Sequence, residues 1–78
     1  MTVTAYVLIQ TEVGRSEKVA TAARGISGVI DADNVAGPYD VIVKATADSL
    51  DALGKLVVSE IQKVDGITRT FTCPIVNL

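Results

Sequence analysis

The segment Gly37-Pro38-Tyr39-Asp40 is the most unusual short stretch of the sequence. Glycine followed by proline is a strong turn signal, and this turn carries a carboxylate at its fourth position. Free backbone N–H groups at an exposed turn can bind a carboxylate, while Asp40 can bind an ammonium group. The four residues are therefore a candidate site for a zwitterion, and the alternative interpretation is a plain hairpin turn.

Three threonines near the carboxyl end form a second candidate. Thr68, Thr70 and Thr72 are spaced two apart, so in a strand their hydroxyl groups project from one face and can line a polar pocket. Threonine is also a good strand former, which is the alternative explanation. Arg69 is expected on the opposite face, as a solvated charge on an edge strand.

The amino-acid composition excludes several classes of chemistry. The 78 residues include no histidine and one cysteine, Cys73, so neither a Cys/His zinc site nor a Cys-His nucleophile pair can form. We therefore expect no catalytic residue, metal or cofactor, and Cys73 is interpreted as a small apolar filler. The formal net charge of −2 gives no positive field for phosphates, so direct DNA binding is not expected.

The apolar periodicity predicts six elements in the order βαββαβ. The predicted strands cover residues 3–10, 29–36, 39–46 and 67–76. The first helix is predicted to begin at an N-cap, Ser16, and to end at Gly25. The second is predicted to follow Ser49 and to run through residue 64, with Gly54 inside it and close to the sheet.

This order of elements predicts a ferredoxin-like α+β fold. Two right-handed β-α-β units give a four-stranded antiparallel sheet of order 4-1-3-2 with both helices on one face. Pro74 cannot donate a backbone hydrogen bond, and the topology places its strand at an edge of the sheet, where this is tolerated. The chain is predicted to form a single domain, residues 1–78.

The two central strands carry continuous apolar runs, residues 5–9 and 41–43. A sheet covered by helices on one side only would instead alternate apolar and polar residues. Since the helices cover one face, the second is predicted to pack against another copy, giving a barrel-like dimer of two sheets. The alternative is that short strands expose a few apolar residues.

Taken together, the order of elements, the turn and the closing stretch of residues 64–72 resemble the ligand-binding (RAM) domain of the Lrp/AsnC family of transcriptional regulators. The resemblance covers nearly the whole chain. In that family a Gly-x-x-Asp turn joins the second and third strands, matched here by Gly37 and Asp40. A Pro-Gly-Val-x-x-Thr-x-Thr-like stretch leads the last strand, matched here by Gly66, Thr70 and Thr72.

The resemblance implies a small-molecule binding and oligomerisation domain. It implies dimers paired through their sheets, higher oligomers such as octamers, and a free amino acid bound between dimers near the turn. We expect Gly37, Pro38, Tyr39 and Asp40 to contact this ligand, and Thr70 and Thr72 of another subunit to complete the site. Regulators of the family begin with a helix-turn-helix domain, whereas Met1 here leads directly into the first predicted strand. We therefore expect a stand-alone sensor in the cytoplasm, without membrane contact. It is expected to assemble with itself or with full-length regulators. The alternatives are a pure oligomerisation module and a small dimeric ferredoxin-like enzyme, although such enzymes typically use histidine or a cofactor.

Overall fold

The computed structural model describes residues 2–77 and confirms the predicted order of elements. Its elements are β1 (Val3–Thr11), α1 (Ser16–Arg24), β2 (Val29–Asn34), β3 (Val41–Ala47), α2 (Leu50–Leu56), a π-helical segment that continues α2 (Val57–Ile61), and β4 (Ile67–Pro74). The first strand is one residue longer than predicted, and the other three are shorter. The connection between β2 and β3 therefore spans residues 35–40.

The four strands form one antiparallel sheet of order β2-β3-β1-β4, as predicted. β4 lies at one edge beside β1. The amide of Ile75 donates to the carbonyl of Thr4 of β1 at 2.9 Å. Because the backbone N–H groups of successive residues in a strand point in opposite directions, the nitrogen of the preceding residue, Pro74, points away from β1. Proline thus occupies a position that needs no N–H donor, which explains how the edge strand accommodates it.

The helices and one face of the sheet enclose the core. From β1 and β3, alternate residues are fully buried and pair across the strands, as at Val7 and Val43. The helices contribute Val19, Leu53 and Ile61, each at most 1% exposed. Short side chains on α1 let that helix pack closely against the sheet. The complete set of buried residues is Ala5, Val7, Ile9, Val19, Ala20, Ala23, Ala32, Val41, Val43, Ala45, Leu53, Val57 and Ile61.

The second face of the sheet, called here the open face, is centred on Tyr6, Leu8, Ile42 and Phe71. Leu8 lies between Ile42 and Phe71 in register, so the three side chains share this face. Tyr6 and Phe71 are each 41% exposed, and Leu8 and Ile42 are half-buried. A single chain therefore leaves this apolar face partly uncovered, and its burial against a second copy stays a prediction.

Two predicted helix ends are confirmed and two are wrong. The first helix ends at Gly25 as predicted, since α1 runs to Arg24 with Gly25 as its C-cap. Ser49 caps α2 as predicted, because its hydroxyl oxygen accepts from the amide of Ala52 at 3.1 Å. The prediction of Ser16 as a cap is wrong: Ser16 is already helical, and Arg15 precedes it without a side-chain cap. The second helix ends at Ile61 rather than at residue 64, after its π-helical turn.

Two further expectations about single residues are wrong. A Cβ atom added at Gly54 would meet no atom within 4 Å, so this glycine does not mediate a close approach of helix and sheet. Cys73 is exposed rather than packed in the core, because it lies in register with Tyr6 of the open face. Within residues 2–77, no helix is long and apolar enough to cross a membrane.

Candidate functional site

The connection between β2 and β3 is held against the end of β1 by backbone hydrogen bonds. The amide of Val35 donates to the carbonyl of Asp40 at 3.0 Å and closes the loop. The amide of Asp40 donates to the carbonyl of Ile9 at 2.9 Å. Gly37 has a φ of +131°, a conformation that side-chain-bearing residues rarely adopt. The candidate turn is therefore a fixed feature of the hairpin.

The carboxylate of Asp40 serves the fold at this position. Its Oδ2 accepts a hydrogen bond from the amide of Thr11 at 2.8 Å, in a partly buried environment. This bond ties the turn to the last residue of β1, 29 positions away in the sequence. Within residues 2–77 we observe no partner for Oδ1, so one carboxylate oxygen remains to meet a ligand.

Two side chains hold the other residues of the turn. Gln10 donates from Nε2 to the carbonyl of Pro38 at 3.0 Å. The ring of Tyr39 meets the ring of Phe71 edge to face, with centroids 5.8 Å apart and planes at 73°. Sequence reasoning missed Gln10, because its contact depends on how β1 ends beside the hairpin.

The hydrogen bonds leave two backbone donors of the turn available. Among residues 2–77, the N–H groups of Gly37 and Tyr39 make no hydrogen bond to the protein, and Pro38 between them has no N–H group. Gly37 is exposed and Tyr39 is half-buried. Two free amides and one carboxylate oxygen of Asp40 thus lie within four consecutive residues, the donors and acceptor that a zwitterion requires.

Thr70 and Thr72 do not join the turn within one chain. They are the register partners of Ile9 and Val7, both fully buried under the helices, so their side chains lie on the helix-covered side of the sheet. Tyr39, through its contact with Phe71, lies on the open face. A site containing both the turn and these threonines would therefore need a second subunit, and this shared site stays a prediction.

The other polar residues of β4 have partners of their own. Thr68 donates its hydroxyl proton to the carbonyl of Gln10 at 3.1 Å. The guanidinium of Arg69 lies 5.9 Å from the ring centroid of Phe71 on the open face, which confirms the prediction that it points away from the threonines. Thr70 accepts a hydrogen bond from Nε2 of Gln62 at 2.9 Å. Gln62 was not singled out from the sequence.

A search of residues 2–77 finds no cluster of three or more metal-ligating His, Cys, Asp or Glu side chains. Asp31 and Asp33 lie exposed on β2, and Asp40 is engaged by Thr11. The chemistry that this arrangement offers is hydrogen bonding to a small charged molecule, with backbone amides as the principal donors.

Curated relatives of the chain are archaeal regulators. An uncharacterised HTH-type transcriptional regulator of Pyrococcus furiosus is 33% identical over 72 residues, and one from Pyrococcus horikoshii is 29% identical over 72 residues. In both comparisons the match covers 88% of this chain and 48% of the relative. The chain thus spans about half the length of the curated relatives it matches.

Solved structures share the fold over almost the whole chain. A hypothetical protein from Pyrococcus horikoshii is 32% identical with a TM-score of 0.88, covering 97% of this chain and 92% of its own. A protein from Thermus thermophilus is 26% identical with a TM-score of 0.90, covering 97% and 95%. Escherichia coli AsnC shares the fold with a TM-score of 0.89 at 22% identity, covering 97% of this chain and 52% of AsnC.

The match to a family model is equally extensive. The model of the Lrp/AsnC ligand binding domain matches residues 4–77. This range contains both helices, the turn and all four strands except the first residue of β1. The resemblance inferred from the turn and from the last strand is thereby confirmed. The chain belongs to the Lrp/AsnC ligand binding domain family.

Proposed function

We propose that this domain binds a free amino acid at the turn of Gly37, Pro38, Tyr39 and Asp40 and acts as the effector-sensing part of a transcriptional regulatory assembly. The observation that carries the proposal is the pair of unpaired N–H groups at Gly37 and Tyr39, in a loop closed by the bond from Val35 to Asp40 and held by Gln10 at Pro38. Fixed donors bind an anion with little loss of conformational entropy.

Each charged end of the ligand has a partner in this proposal. The two amides of the turn hold the carboxylate, and Oδ1 of Asp40 accepts from the ammonium group while Oδ2 stays with Thr11. Thr70 and Thr72 of another subunit complete the pocket. Burial of the turn between subunits, as proposed here, would exclude water and strengthen these contacts.

The relatives support a regulatory role. A transcriptional regulator from Neisseria meningitidis with the same fold, at a TM-score of 0.84 and 13% identity, was solved as a complex with L-Met. The curated relatives are HTH-type regulators of about twice the matched length. Because transcriptional regulators act on DNA, we propose a cytoplasmic location for this domain. We also propose that it assembles with itself or with full-length regulators of this family.

The open face supports the assembly part of the proposal. Tyr6, Leu8, Ile42 and Phe71 form one apolar surface on the central strands and β4. In the proposed assembly, two such faces pack against each other to form the sheet-to-sheet dimer. Light scattering is expected to give at least twice the chain mass of 8.2 kDa, and Leu8→Glu is expected to lower the assembly mass.

A matched variant separates interface effects from surface effects. Val58→Glu places the same charge at a residue that is 60% exposed on the helix side, so it leaves the sheet-to-sheet dimer intact. A mass of 8.2 kDa for the unmodified protein at all accessible concentrations would contradict the dimer. If Leu8→Glu and Val58→Glu lower the assembly mass equally, the dimer interface does not lie on the open face.

Calorimetry against the twenty amino acids tests the binding itself. Asp40→Asn is the informative variant, because an amide oxygen still accepts from Thr11 while the charge that attracts the ammonium group is lost. We expect binding to weaken by about 1.5 to 3 kcal/mol, the range for a hydrogen bond to a charged group. Asp48→Asn is the control: it removes the same charge at an exposed residue beyond the far end of β3.

Two results would contradict the proposed function. If no amino acid binds below the millimolar range, the domain is better described as an oligomerisation module without a ligand. If Asp40→Asn binds as tightly as the unmodified protein and as Asp48→Asn, the ligand does not contact the turn in the manner proposed.

A further inference from the structure

Gln62 occupies a position that the π-helical segment determines. Its backbone amide donates to the carbonyl of Val57 at 2.8 Å, five residues earlier, which closes the π-helical turn. The preceding residue, Ile61, is fully buried and fixes the end of the segment in the core. The side chain of Gln62 is thereby brought to β4, where Nε2 donates to Oγ1 of Thr70 at 2.9 Å.

This hydrogen bond determines what the hydroxyl group of Thr70 can offer a ligand. The Nε2 group of glutamine only donates, so Oγ1 of Thr70 is the acceptor in this contact. A threonine hydroxyl has one proton, and that proton is then free to point elsewhere. Gln62 therefore orients Thr70 as a hydrogen-bond donor toward the surroundings of β4.

The surroundings are an open pocket of about 300 Å³ between the end of the π-helical segment and the outer edge of β4. It is lined by Gln62, Ile67, Thr68, Arg69 and Thr70, with no acidic residue. The hydroxyl proton of Thr68 is engaged by Gln10, and the guanidinium of Arg69 lies over Phe71 on the open face. The hydroxyl proton available in this pocket is that of Thr70.

We propose that Gln62 is a positioning residue of the ligand site: it fixes the hydroxyl of Thr70 as the donor to an oxygen of the bound amino acid, and a carboxylate is the oxygen group that fits best. This inference rests on the proposed function, since it takes Thr70 as a ligand contact. A carboxylate fits because it only accepts hydrogen bonds and because no acidic side chain lines the pocket.

Four variants test whether Gln62 acts through Thr70. By calorimetry with the amino acid that binds the unmodified protein most tightly, Gln62→Ala and Thr70→Val are each expected to weaken binding by about three- to tenfold. Adding Gln62→Ala to Thr70→Val is expected to have no further effect, because the hydroxyl it orients is gone. Gln62→Glu is expected to weaken binding more than about tenfold, since a carboxylate takes the proton of Thr70 and adds a repelling charge.

Thr21→Glu controls for the added charge, because Thr21 is exposed on α1 outside this pocket, and its affinity is expected to equal that of the unmodified protein. A second ligand, the amine that lacks the α-carboxyl group of the amino acid, shows which ligand oxygen contacts Thr70. If the α-carboxylate makes this contact, Gln62→Glu and the unmodified protein are expected to bind the amine with equal affinity. If a side-chain oxygen makes it, Gln62→Glu is expected to bind the amine more weakly.

The outcomes separate this inference from the proposed function. If the unmodified protein binds an amino acid and Gln62→Glu binds it with the same affinity, the inference alone is overturned. Additive losses in the double variant also overturn it, because Gln62 would then act independently of Thr70. Absence of binding by the unmodified protein overturns the proposed function and this inference with it.

Discussion

Replacing Asp40 by alanine is expected to destabilise the fold even in the absence of any ligand. Oδ2 of Asp40 accepts the amide proton of Thr11 at 2.8 Å in a partly buried site. Removing a hydrogen bond to a charged group costs about 1.5 to 3 kcal/mol, and here it also leaves the Thr11 amide without its acceptor. Asp40→Asn keeps an oxygen at the same place, so its cost should be about 1 kcal/mol, the difference between a charged and a neutral hydrogen bond.

Urea unfolding of the two variants and of the unmodified protein, at one fixed subunit concentration, provides the measurement. The concentration must be held constant because the stability of an oligomer depends on it. The expected order of unfolding free energies is unmodified protein, then Asp40→Asn, then Asp40→Ala. The reasoning is refuted if Asp40→Ala lies within about 0.5 kcal/mol of the unmodified protein, the usual effect of a surface substitution.

Three further predictions concern single glycines and DNA. Gly54→Ala should stabilise the protein by about 0.5 to 1 kcal/mol in the same unfolding assay, because Gly54 lies within a helix with no atom near an added Cβ; a loss of stability would mean that another subunit packs closely there. Gly66→Ala should cost more than Gly14→Ala: both have positive φ, but only at Gly66 does the new Cβ lie 3.0 Å from Cβ of Arg15, and equal costs would contradict the clash. Gel shifts of this chain alone at physiological salt should show no sequence-specific DNA complex, since its net charge is −2; such a complex would mean that the surface has been misread.

The strand order and the hairpin could be predicted because they depend on local signals and on general rules of topology. Ser49 was found as a cap because its role involves an amide only three residues away. Pro74 was placed at an edge because its missing N–H excludes a central strand. In each of these predictions, the residue type by itself limits the positions that it can occupy.

The features that escaped prediction depend on contacts between distant parts of the chain. The bond of Asp40 to Thr11 joins residues 29 positions apart and requires the exact end of β1 beside the hairpin. The bond of Gln62 to Thr70 requires a π-helical turn, which the apolar spacing of the second helix does not encode. Serine is a favoured N-cap residue, but α1 already begins at Ser16, so Ser16 does not occupy the N-cap position in which its hydroxyl would accept from a helical amide.

A crystal structure of the protein grown with its tightest-binding amino acid tests the central claim most directly. The account predicts the ligand carboxylate about 2.7 to 3.2 Å from the amide nitrogens of Gly37 and Tyr39, the usual hydrogen-bond distance, with its ammonium group beside Oδ1 of Asp40. The ligand should lie between subunits, with Thr70 supplied by a neighbour. A ligand bound elsewhere on the domain, with both amides still facing solvent, would contradict the account.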